Sequence, residues 1–133
     1  DLHNHNDVGS FIVYCPSPIT QHPSPNTLHP LFIDPGVGEY TSKTFSRQRY
    51  GIWTMQSDYH NLPRINGYSQ RDGKQYKAYV ISHKPVQLTL DISGAYPSEA
   101  QIQHWYRTVK VQRGKQVEIT EDFALQSYLS PTQ

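Results

Sequence analysis

His3, His5 and Asp7 occupy alternate positions near the start of the chain. In an extended segment, residues two apart share one face, with neighbours roughly 6.6 Å apart along the strand. Imidazole nitrogen and carboxylate oxygen both ligate a borderline-soft metal such as zinc, and a neutral imidazole is also a base suited to near-neutral pH. This face therefore predicts a metal ligand beside a base, while a pair of satisfied surface histidines fits the H-x-H spacing equally well. Asp34 is the second candidate, since it closes an apolar run immediately before Pro35-Gly36-Val37-Gly38. An aspartate there either forms the turn or carries a carboxylate to the edge of a sheet. His60 is the third, set between Tyr59 and Asn61 at the end of a segment holding Tyr50, Trp53 and Met55. A cupin would need Glu three or four residues after its second His, but those positions are Val8 and Gly9.

Strands must position these groups. Val86, Leu88, Leu90 and Ile92 alternate with Gln87, Thr89, Asp91 and Ser93, the pattern of a half-buried strand. Val109 and Val111, the turn Arg113-Gly114-Lys115, and Val117 and Ile119 predict a hairpin. Asn66-Gly67 and Asp72-Gly73 mark two further turns. Gly9–Tyr14 and Leu31–Asp34 read as short strands buried on both faces. No window of eleven residues holds a helical apolar stripe, and Pro97-Ser98-Glu99-Ala100 predicts one helical turn at most. The expected fold is all-β, an antiparallel sandwich forming a single domain over 1–133, with an irregular Pro-rich loop over 15–30. Trp53 and Trp105 are expected as packing residues, and Arg107 and Arg113 as solvated or paired charges.

Composition excludes several classes. Lys and Arg number 12 against 11 Asp and Glu, a net charge of +1 that gives nucleic acid or anionic lipid no field to follow. No apolar run reaches the roughly 18 residues of a membrane-spanning helix. A single cysteine, Cys15, rules out an internal disulfide and a four-cysteine zinc site. With no initiator Met and polar chemistry starting at Asp1, the chain is expected to be a segment of a longer protein.

The motifs H-N-H-N-D-V-G-S-F (3–11), I-D-P-G-V-G-x-Y-T (33–41), R-Y-G-I-W-T-M-Q-S-D-Y-H-N-L-P (49–63) and I-N-G (65–67) occur in series. Together they resemble the heparinase II/III-like family of polysaccharide lyases. The likeness extends more weakly through 90–97 and 105–109 to 113–120. It implies the β-sandwich portion of an enzyme whose N-terminal helical toroid supplies the other wall of the catalytic cleft. It further implies a zinc of structural role on His5, Asp34 and His60, and a cleft-facing His3. Tyr50 matches a catalytic tyrosine, with Tyr40 as competitor, and Arg49 and Asn61 are the expected substrate-binding residues. The implied partner is an acidic polysaccharide, glycosaminoglycan or alginate, and the implied location is periplasmic or secreted. An isolated chain lacking the toroid is expected to have little or no lyase activity. A non-catalytic carbohydrate-binding sandwich is the alternative.

Overall fold

A computed structural model describes residues 5–16 and 28–133. Among them the chain forms two antiparallel sheets and several isolated 3-10 turns, with no long helix, as expected of an all-β sandwich-like fold. Strands β1 (Val13–Pro16) and β2 (Leu28–Phe32) pair with each other. Strands β3 (Tyr79–Lys84), β4 (Gln87–Asp91), β5 (Ile102–Gln112) and β6 (Gln116–Leu125) form a meander in that order.

The meander follows its sequence signals closely. The β5–β6 register runs from Ile102 opposite Leu125 to Gln112 opposite Gln116, and Gly114 takes the positive φ (+72°) that closes the turn. Asn66 and Gly67 both have positive φ, the requirement of a type I′ turn, and bring Ile65 opposite Tyr68. Period two places Trp105 and Arg107 on one face of β5, both buried. There Trp105 joins Ile65, Ile92, Ala95, Tyr96 and Ala100 in the core, with Val8, Leu62, Leu90 and Leu125 packed around them. The one-turn helix expected near Pro97 is the 3-10 turn Ser98–Ala100.

Two expectations about the other sheet need correction. The irregular loop was expected over 15–30, but β1 runs on to Pro16 and β2 begins at Leu28. Backbone pairing of Cys15 with His29 and Pro16 with Leu28 extends the hairpin into the Pro-rich stretch. Nor are these strands buried on both faces: Tyr14, Leu31 and Ile33 are more than half exposed. A two-stranded ribbon offers each strand one partner: Val13 and Cys15 are half-buried on the side facing the β5–β6 turn, while Tyr14 and the residues of β2 stay exposed. Trp53 is also half exposed, lying edge-on to Tyr59. Only Trp105 packs as expected; it stacks on Phe123 and donates its indole N–H to Glu121.

Candidate functional site

Between β2 and the Asn66-Gly67 turn the chain makes four short 3-10 turns: Ser42–Phe45, Arg49–Gly51, Trp53–Met55 and Ser57–Tyr59. Each closes through an N–H donated to the carbonyl three residues back, as from Ile52 to Arg49, Gln56 to Trp53 and His60 to Ser57. Such short turns cannot bury a continuous apolar stripe, so polar side chains hold the segment in place.

His60 is fully buried at its side chain. Its Nδ1 meets Asp34 Oδ2 at 2.7 Å and its Nε2 meets the Thr54 carbonyl at 3.0 Å. Thr54 in turn donates its hydroxyl to the Val37 carbonyl at 2.7 Å. Asp34 fills both roles foreseen for it. Oδ1 accepts the Gly36 N–H at 2.8 Å, which makes the turn, while Oδ2 accepts from His60 and from the Ser10 hydroxyl at 3.2 Å. Burial by itself would raise the Asp34 carboxyl. The Gly36 N–H, the His60 ring and the Ser10 hydroxyl outweigh it and hold the group below the ordinary carboxylate value.

His5 lies beside this pair. Its ring stacks on His60 with centroids 5.4 Å apart, and its buried Nδ1 has no hydrogen-bond partner; Asp7 Oδ2 stands 3.6 Å away. The three expected zinc ligands are thus neighbours. Among the described residues, however, no three His, Cys, Asp or Glu side chains are arranged to hold a metal ion. Two ligands of one tetrahedral zinc stand about 3.3 Å apart, wider than the 2.7 Å between His60 and Asp34. In other respects the donor set suits zinc. The Nε2 contact with Thr54 is the usual anchoring of a metal-bound histidine and leaves Nδ1, on Asp34 here, as the ligating nitrogen, and the His5 Nδ1 makes no hydrogen bond.

A polar groove of about 310 Å³ opens beside His5, lined by Asn6, Val8, Tyr50, Tyr76 and the turn Arg71-Asp72-Gly73-Lys74. Of the two candidate tyrosines, Tyr50 lines this groove; Tyr40 does not, and stacks on Phe45 instead. Arg49 is buried, with its guanidinium over the Tyr50 ring and against the Met55 sulfur, and it does not line the groove. Asn61 directs its amide at the carbonyls of Phe11 and Ile33, both at 2.9 Å, so its donors stitch two chain segments together. His3 lies outside the described residues.

Three residues that join the segments of the site carried no sequence signal for that role. Gln70 is buried and pairs with Val8 through its side-chain amide: Oε1 accepts the Val8 N–H at 2.9 Å and Nε2 donates to the Val8 carbonyl at 2.8 Å. Its backbone N–H goes to the Ser57 hydroxyl, so it ties the His5 segment to the 3-10 turns. Arg107 is paired, as one of its two readings had it, with Glu121 directly across the β5–β6 ladder at 2.7 Å. It also donates to the carbonyls of Gly9 (2.8 Å) and Asn61 (2.6 Å). Ser10 bridges Asp34 and the Asn61 N–H. Only the charged residues flanking Asp72-Gly73 gave a cue, for a tight turn throws its flanking side chains into solvent. His104 lies against Tyr106 and Asp122.

Compared with protein-family models the chain matches none, and no curated protein matches it at a significant level.

Proposed function

We propose that this chain is the β-sandwich part of a polysaccharide lyase that cleaves uronic-acid-containing polysaccharides by β-elimination. The observation that carries the reading is the groove where His5, Asn6 and Tyr50 meet two cations, directly beside the buried His60–Asp34 pair. A uronate needs such a mixture. A base removes the proton on C5, and its electron pair forms the C4–C5 double bond. The C4–O bond breaks, and the leaving oxygen takes a proton. Negative charge builds on the sugar carboxylate as the C5 proton departs, so nearby donors and cations stabilise the transition state. His3, from the same H-x-H pair as His5, serves as base or charge neutraliser, and Tyr50 returns a proton to the leaving oxygen.

His5, Asp34 and His60 would hold a zinc ion. Bound there, it would cross-link three distant segments and brace the segment that begins at His5, a structural contribution. The elimination itself needs no metal-activated hydroxide. The missing toroid would close the groove from the other side and make a periplasmic or secreted enzyme complete.

In the natural gene product that contains this chain, His3→Ala and Tyr50→Phe should each lower the rate at which unsaturated uronate absorbance appears by about 100-fold or more. No unsaturated-uronate formation by the parent overturns the lyase reading; the parental rate in both variants removes His3 and Tyr50 as its catalytic residues. Zinc analysis of purified His5→Ala and His60→Ala should show lost metal and a lower Tm; unchanged zinc in both removes the metal site. A second reading, a non-catalytic carbohydrate-binding sandwich, is favoured by the exposed Trp53–Tyr59 pair, whose faces suit sugar stacking. Polysaccharide binding that Trp53→Ala abolishes, with no elimination in the gene product, would select it.

A further inference from the structure

We infer that Arg71 and Lys74 form an anion subsite of the His5–Tyr50 groove and grip a negatively charged group on the sugar. This deepens the lyase reading and rests on it for the identity of the ligand. Both residues are exposed on the turn that forms one wall of the groove, and neither makes an ion pair among the described residues. Arg71 attracts Glu99 electrostatically without pairing to it. Among the described residues Asp72 is the only carboxylate lining the groove, so the two cations outnumber it.

The turn is held in place. Arg71 donates its backbone N–H to the Ala95 carbonyl at 3.2 Å, and Lys77 donates to Gly94 at 3.1 Å. Between them the Tyr76 N–H closes onto the Gly73 carbonyl at 3.1 Å, with Gly73 at φ +128°. Just before the turn, the Gln70 amide clamps Val8 and so fixes the segment bearing His5 against the same wall. Holding the backbone in advance removes part of the ordering cost of binding. A planar guanidinium beside an ammonium suits either a carboxylate or a sulfate, which share anionic oxygens. The expected substrate-binding cation, Arg49, is buried beneath Tyr50, so these two side chains take over that task at the groove surface.

The test uses the full chain, an Arg71→Ala/Lys74→Ala double variant, and Lys115→Ala on the distant β5–β6 turn as control. Calorimetry would titrate each with a galacturonate hexamer, a heparin hexasaccharide and the neutral maltohexaose. NMR would follow amides 71–76 during titration with sodium sulfate. The expected result is binding of an acidic hexamer but not the neutral one, weakened at least about tenfold in the double variant and unchanged in the control. Preference for galacturonate identifies a carboxylate as the anion, and preference for heparin a sulfate. Equal affinity in the parent and the double variant overturns the subsite and leaves the lyase reading standing. Sulfate shifts at 71–76 that the double variant loses, with no hexamer bound, uphold the subsite and overturn the uronate reading. Neither hexamer binding nor sulfate shifts overturns both.

Discussion

The meander and the region around His60 are built by different means. In β3–β6 the backbone pairs with itself, and alternation decides which side chains face the core. Around His60 the backbone pairs mostly within single turns, and Asp34, Asn61, Thr54, Ser10 and Gln70 join one segment to the next. Buried side-chain networks of this kind specify geometry sharply, because each unsatisfied member costs more than a satisfied one gains. The sheet thus provides stability, and the network provides placement. Arg107 connects the two, reaching from β5 to the carbonyls of Gly9 and Asn61.

That contrast can be broken at the core, at the connector or within the network. Ile92→Ala should have the largest effect, about 3 kcal/mol or more by denaturant unfolding, since Ile92 is fully buried in the shared core. Arg107→Met removes one partner of a largely buried pair and should cost about 2–3 kcal/mol, somewhat below a fully buried pair because Glu121 is partly exposed. Hydrogen exchange should then quicken at the amides of 5–12 and 60–62, while β5–β6 amides keep their protection; equal loss in both regions would refute the connector role. Asp34→Asn should cost about 1–2 kcal/mol at neutral pH. The Asp34 carboxyl is held low when folded, so its stabilisation is complete above the unfolded value of about 4 and fades as pH falls through the folded one. The parent should therefore lose Tm on acidification more steeply than the variant, and parallel profiles would contradict this. Trp53→Ala should change stability by under about 0.5 kcal/mol, because the ring is half exposed.

The same contrast explains what could be read from the sequence. Period two and the Gly114 turn are local signals, and they located β4 and the β5–β6 hairpin; Asn66-Gly67 located the separate turn that sets Ile65 opposite Tyr68. His5, Asp34 and His60 were chosen by residue type, and the fold does bring them together. The functions of Gln70, Arg107 and Asn61 depend on carbonyls 46 to 98 residues away, apart from closer partners, and no short-range pattern records such separations. Arg49 was expected to bind substrate, whereas its position over Tyr50 and beside Met55 draws it inside.

A primary carboxamide carries the same donor and acceptor as a peptide group, and Gln70 presents them to Val8 as a neighbouring strand would. This imitation strand is a single rung long. It adds to the Asn6–Met55 backbone bond and the Arg107–Gly9 contact, so residues 6–9 are latched to the body of the protein at separate points and not paired along a strand. Breaking that rung would loosen the His5 wall, which Asn6 still ties to the Met55 carbonyl and Arg107 to the Gly9 carbonyl, without breaking a single pairing of the meander.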